Sequence, residues 1–210
     1  MDLTNPASSV VPALRARILV LLARSDAGLT GRRVAALAEG SVAGVAKVLE
    51  SLVGAGLVHR IDAGSASLYT LNRDHVGAPA VELLATMRAE LINRIRRDIS
   101  QWSCLPVGAV LFGSAARGDG ADDSDIDVLL VRPASIDDDD AAWADQVSRL
   151  GSAVLAWSGN TLNVVEYSPD EVASDAPGRR AVLSRIDTDG VLLHGTELRI
   201  LRRRTRAVGR

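Results

Sequence analysis

The sequence predicts an α/β (α+β) protein in two parts. Three observations carry that reading. Residues 10–75 run as three short helical patterns and then two strand-like runs. Residues 79–102 form one long amphipathic segment. From residue 105 to residue 210, short apolar runs alternate with helical patterns, as in a mixed sheet with flanking helices. A chain of 210 residues accommodates one or two such domains.

Residues 1–9 are small and polar and are expected to fray. Pro12 suits a first helical turn, and Leu14, Ile18, Leu21 and Leu22 then recur at helical spacing. Thr30 is placed to cap a second helix with Val34, Leu37 and Ala38 inward, and Ser41 to cap a third that buries Val45, Val48, Leu49 and Leu52. The runs Val58–Asp62 and Ser67–Leu71, joined by a short Gly-containing link, give a hairpin signal. Residues 79–102 carry an apolar stripe of Val81, Leu84, Met87, Leu91, Ile95 and Ile99 and read as a connecting helix.

Beyond residue 105, Val107–Phe112, Ile126–Val131, Thr161–Tyr167 and Gly190–His194 read as strands. Helices are expected from Asp137–Asp140 to about Trp157, over Arg179–Ile186, and over the basic segment Glu197–Arg206. The four aspartates at 137–140 suit a helix N-terminus, where carboxylates oppose the positive end of the dipole. Arg199, Arg202, Arg203, Arg204 and Arg206 read either as a solvated basic tail or as nucleic-acid contacts.

Bulk properties narrow the function classes. The single Cys104 excludes an intramolecular disulfide and a cysteine-based zinc site. Apolar runs such as Ile18–Ala23 are too short to cross a bilayer, and no leader opens the chain, so a soluble cytoplasmic protein without a membrane partner is expected. Residues 1–104 carry 12 Lys+Arg against 9 Asp+Glu, whereas residues 105–210 carry 12 against 17. The two parts therefore have different electrostatic roles, and only the first has a balance that permits nucleic-acid contact.

The most informative stretch is residues 113–131. A Gly-Ser pair is followed, after ten residues, by Asp125-Ile126-Asp127 and an apolar strand. Side chains two apart on a strand share a face, so Asp125 and Asp127 converge while Ile126 packs behind them. Gly113 permits unusual backbone angles and close approach of phosphate oxygens. Ser114 offers a hydroxyl at the start of a helical turn, Arg117 adds a cation or anchors the loop, and Ser124 is placed to orient Asp125.

This stretch resembles the signature of the DNA-polymerase-β-like nucleotidyltransferases, especially their minimal bacterial members. The resemblance implies that Gly113, Ser114, Arg117 and Ser124 contact a nucleoside triphosphate. It implies that Asp125 and Asp127 are catalytic and hold Mg²⁺ or Mn²⁺. The family usually adds a third carboxylate on the neighbouring strand. Here that strand is Thr161–Tyr167, and the third ligand falls to Asn163 by position or to Glu166 as the nearest acid.

Three helices and a hairpin read as a winged helix-turn-helix, and Leu29–Arg60 with the trailing Leu68–His75 resembles the bacterial regulator version. That resemblance implies double-stranded DNA binding or protein docking. The recognition helix lacks Arg, Asn and Gln for reading bases. Arg32, Arg33, Lys47 and Arg60 are the candidate phosphate contacts, and the 79–102 helix is a candidate homodimer interface. The combined expectation is transfer of a nucleoside monophosphate from a triphosphate to a protein, RNA or small-molecule hydroxyl. The rival is a transcriptional regulator that senses nucleotide with a weakened transferase-like domain.

Overall fold

Two hydroxyl caps organise the N-terminal half of the chain. The computed structural model describes residues 1–64, 66–120, 124–174 and 176–201. Asn5–Ala89 form one compact unit, and Met1–Thr4 with the chain from Glu90 onward form the other. In the first unit, a short 3₁₀ turn at Pro6–Ser9 precedes α1 (Ala13–Ala23). The two-residue strand β1 (Leu29–Thr30) leads into α2 (Gly31–Leu37) and α3 (Val42–Gly54). Thr30 accepts from the Arg33 amide and Ser41 from the Gly44 amide, so each helix begins where an oxygen satisfies an otherwise orphaned N–H. Strands β2 (Val58–Ala63) and β3 (Ala66–Leu71) pair antiparallel, and β1 joins the other side of β3. Ile18, Leu22, Val34, Val45, Leu49 and Leu52 are buried together beneath this sheet.

The helix α4 (Ala78–Ser100) starts in the first unit and continues into the second. There, β4 (Gly108–Phe112) and α5 (Gly113–Arg117) are followed by β5 (Ile126–Val131) and α6 (Ala141–Ser158). Next come β6 (Leu162–Tyr167), α7 (Pro169–Ala173), α8 (Pro177–Asp189) and β7 (Val191–Gly195). The sheet order is β6-β5-β4-β7, with β5 and β6 parallel and the other pairs antiparallel. This is the mixed α/β architecture foreseen from the sequence.

Alternation along β5 divides the core. Ile126, Val128 and Leu130 pack with Ile95 and Ile99 of α4 and Trp143 and Leu150 of α6. Leu129 and Val131 pack on the other face with Val172, Leu183 and Ile186 of α7 and α8. Asp127 shares parity with Leu129, so its carboxylate belongs to the α8 face.

Several expectations need correction. The N-terminus is not frayed: Leu3 is 2% exposed within the C-terminal core, and its amide donates to the Gly120 carbonyl at 3.1 Å. β1 and α7 were not anticipated. The helix after Glu197 is described only to Leu201, so Arg202, Arg203, Arg204 and Arg206 lie outside the described residues. Arg199 forms an ion pair with Glu197. Among the described residues, no helix is long and apolar enough to cross a membrane.

Leu129 lies fully buried in the middle of the sheet. Replacing it with Ala should cost about 2–5 kcal/mol, read as a lowered midpoint in urea unfolding of the C-terminal transition. An unchanged midpoint would contradict this account of the core.

Candidate functional site

The site begins where β4 ends. Phe112 lies opposite Asp127 in the β4–β5 ladder, and the chain turns immediately afterwards at Gly113. Gly113 has φ +70°, in the left-handed region, and a Cβ there would collide with Asp127 Oδ2. Glycine is therefore required twice over, by the backbone angle and by the carboxylate against its Cα. On the other side of β5, the parallel register puts Asn163 opposite Asp127, and Asn163 Nδ2 donates to Asp127 Oδ1 at 2.9 Å. Asp125 is exposed just before the strand begins.

Ser114 and Ser124 converge around Gly120. A Cβ at Gly120 would lie 2.9 Å from Ser114 Oγ and 3.2 Å from Ser124 Cβ. The Ser114 carbonyl accepts from the amides of Gly118 and Asp119 and closes the α5 turn. The Ser124 carbonyl accepts from Asn160 Nδ2 at 2.9 Å. Asn160 is 3% exposed; Nδ2 also donates to the Met1 carbonyl, and Oδ1 accepts from the Met1 ammonium at 2.9 Å. This buried amide ties the residue before Asp125 to the end of α6 and the N-terminal segment. It carried no motif in the sequence and was missed there.

Arg117 is exposed, and its Nε donates to Asp119 Oδ2 at 2.8 Å. That hydrogen bond is the main cause holding Arg117 above its ordinary pKa, with the Asp119 and then the Asp189 charges adding to it. The same bond holds the Asp119 carboxyl below its usual range. The pairing therefore stabilises above the unfolded carboxylate pKa of about 3.9 and is lost as pH falls through the lower folded value. A cavity of about 350 Å³ adjoins this turn, walled by Phe112, Gly113, Arg117, Arg185, Ile186 and Asp189. Arg185 and Asp189 were not read from the sequence as site residues.

Glu166 is not brought to the aspartate pair. It lies opposite Leu130 in the ladder, three residues beyond Asn163 and on the opposite face. There Trp143 Nε1 donates to Glu166 Oε2 at 2.6 Å, and the buried Arg132 lies 3.6 Å away. Arg132 also pairs with Asp138, and Asp140 caps α6 by accepting from the Trp143 amide at 2.8 Å. Asp138 and Asp140 thus have structural partners. Among the described residues, no cluster of three His, Cys, Asp or Glu side chains could hold a metal ion.

The donor set at Asp125 and Asp127 fits a hard divalent cation. Two carboxylates, with water and phosphate oxygens completing the shell, meet the preference of magnesium for few protein ligands. Asn163 would contribute at most a neutral oxygen, because its N–H group faces Asp127.

In the N-terminal unit, Arg32 and Arg33 are exposed on α2, and Lys47 is exposed on α3. Arg60 on β2 is engaged by Asp62 Oδ1 at 3.2 Å and Ser67 Oγ at 3.0 Å. A cleft of about 570 Å³ between α3 and the hairpin is walled by Arg32, Val42, Ala46, Ser67 and Tyr69.

Residues 92–154 match the family model described as "Nucleotidyltransferase domain". The match is to a domain of that kind within residues 92–154. The matched stretch runs from within α4 to most of α6, so it contains Gly113, Ser114, Asp125 and Asp127 and stops before Asn163. Among solved structures, the chain is similar to a toxin–antitoxin crystallised with AMP-PNP, at 20% identity over 56% of this chain and 86% of that one, with a TM-score of 0.39. It is also similar to a mutant of the toxin–antitoxin MntA-HpeT, at 19% identity over the same shares, again with a TM-score of 0.39. No curated protein matches the chain in sequence.

Gly113→Ala should displace the Asp127 carboxylate or strain the turn, at a cost of about 1–2 kcal/mol. Thermal unfolding should show the loss. A variant as stable as the parent would mean that the turn relaxes without touching Asp127.

Proposed function

We propose that the C-terminal unit transfers a nucleoside monophosphate from a nucleoside triphosphate to an acceptor hydroxyl, with Mg²⁺ or Mn²⁺. The observation that supports this most directly is the contact of the Asp127 carboxylate with the Gly113 turn, which joins the acidic pair to the Gly-Ser loop. In the reaction, the acceptor oxygen bonds to the α-phosphorus and the bond to the bridging oxygen breaks. Pyrophosphate leaves with that electron pair, and the hydroxyl proton passes to water. Metal bound at the aspartates would supply charge neutralisation for the triphosphate. Asp125 and Asp127 would hold that metal beside the reacting phosphate, Gly113 lets its oxygens approach the backbone, and Ser114 and Ser124 offer polar contacts beside them. The acceptor is a protein, an RNA end or a small molecule.

Asn163 favours a second reading. An amide donating to Asp127 occupies the place where a third acid would serve as ligand or base, which suits a regulator that binds nucleotide without fast transfer. The N-terminal unit fits either reading. Its capped α2 and α3 and its hairpin suit a winged helix-turn-helix that binds double-stranded DNA or docks a protein. Arg32, Arg33 and Lys47 are its phosphate contacts; Arg60 contributes less because Asp62 already pairs with it.

Magnesium with saturating triphosphate should raise the melting temperature. Ligand at one hundred times its dissociation constant adds about 2.7 kcal/mol. Asp127→Asn should abolish the shift while leaving a folded protein. No shift in the parent protein with any of the four common triphosphates would remove the transfer reading.

Asn163→Asp replaces a hydrogen-bond donor with a like charge beside Asp127. The metal-free protein should melt lower, and the shift induced by metal and nucleotide should grow, with any transferase rate rising. Glu166→Gln should leave the ligand-induced shift unchanged. The opposite pattern would place the third ligand at Glu166.

Duplex DNA, if bound, should be held mainly through phosphates. Affinity should then fall steeply with salt, and Arg32→Ala or Lys47→Ala should weaken all sequences alike and flatten the salt slope by about one. Gel-shift titrations across salt concentrations measure this. Tight binding of one sequence by a monomer at high salt would overturn it, and no duplex binding at low salt would leave protein docking.

A further inference from the structure

The two aspartates are held in different ways. Asp127 lies inside β5, with its carboxylate against the Gly113 Cα and bonded by Asn163 Nδ2. Asp125 is exposed and precedes the first β5–β6 pair, Ile126 with Leu162. Strand pairing therefore does not reach it. Its backbone is fixed instead by hydrogen bonds one residue to either side. After it, the Ile126 amide donates to the Thr161 carbonyl at 2.8 Å. Before it, the Ser124 carbonyl accepts from Asn160 Nδ2 at 2.9 Å. The first bond is backbone to backbone, and any residue pair supplies it. The second comes from a side chain and extends the ladder one step beyond the strand.

We propose that Asn160 is a positioning residue for nucleotidyl transfer: it acts through the Ser124 carbonyl to hold Asp125 where it can share a divalent metal with Asp127. The proposal rests on the nucleotidyl-transfer reading of this site and adds to it the residue that sets the geometry of the acidic pair. Burial supports it. Asn160 is 3% exposed, and an amide so placed is costly to leave unpaired. Its backbone N–H donates to Ser158 Oγ at the end of α6, and its Nδ2 also donates to the Met1 carbonyl at 3.1 Å. The side chain is thus gripped from two directions.

The N-terminal segment completes the arrangement. Leu3 is buried in the core that contains Ile126, and its amide donates to the Gly120 carbonyl. Gly120 and Ser124 stand on either side of residues 121–123. Both are tied to the first three residues of the chain, one directly and one through Asn160. A carboxylate on unanchored backbone loses conformational freedom when metal binds, and that loss opposes binding. Asn160 removes the freedom beforehand. It works through the backbone and touches no reacting group.

Binding of a triphosphate to the full chain with manganese, compared with binding of the same triphosphate in EDTA, isolates the part of the affinity that depends on metal. Titration calorimetry measures both, with whichever of the four common triphosphates the parent protein binds most tightly. Manganese should tighten binding by the parent. In Asn160→Ala that gain should shrink about tenfold, the loss typical of a group that orients a metal ligand from behind. Affinity in EDTA should stay the same. Leu193→Ala is the control for lost stability alone: Leu193 is buried in the same core on β7, two strands from β5, and its variant should keep the gain of the parent. Asn160→Ser keeps a donor and leaves a smaller space, so it should fall between the parent and the alanine variant, and it replaces the latter if that chain does not fold. An undiminished gain in a folded Asn160 variant overturns the proposal, as does an equal reduction in Leu193→Ala. If manganese adds nothing for the parent with any of the four triphosphates, the transfer reading itself falls.

Discussion

The contact between the Asp127 carboxylate and the Cα of Gly113 is the constraint on which the C-terminal site depends. The carboxylate position is set by β5, which is buried on both faces and cannot shift without disturbing two cores. The turn position is set by β4, whose last residue pairs with Asp127. Two rigid strands thus deliver an acid and a turn to one point, and only a residue without Cβ can occupy it.

Long periodic segments were legible in the sequence because periodicity reports burial directly. α4 and β5 emerged close to their expected limits, since each presents an apolar stripe or run to a core; the hairpin strands, mostly outside the core, were marked instead by the Gly-containing link between them. β1 was not legible because two residues carry no period; its pairing with β3 is decided by tertiary contact. α7 was missed for a different reason. Ser168 and Glu171 form a capping box with Pro169 at the first turn, a readable signal, but the helix has five residues and little apolar pattern. The N-terminal segment misled because it is small and polar, whereas one residue, Leu3, holds it in the core.

Within the site, the glycine, serine and aspartate positions were visible because their spacing is unusual. Asn163 was visible only through the strand that follows, and the parallel register explains why position outweighed acidity. Glu166 has the charge, but it faces α6 and spends that charge on Trp143 and Arg132. Asn160 and Arg185 left no trace in the pattern. Asn160 matters because burial makes its amide costly to leave unpaired, and its partners are distant backbone groups that no local motif encodes. Arg185 is one of several arginines in a helix, and only the cavity next to Gly113 distinguishes it.

The charges in this unit are separated by sheet face. On the α6 side, Arg132 pairs with both Asp138 and Glu166, and Trp143 donates to Glu166. On the α8 side, the acidic pair at the strand start stands apart from Arg185, with the Gly113 turn between them. A sheet has little net dipole of its own, so the field across that turn comes from these side chains alone. It runs from the acidic pair at the start of β5 to a cavity wall where Arg117 and Arg185 stand with Asp189.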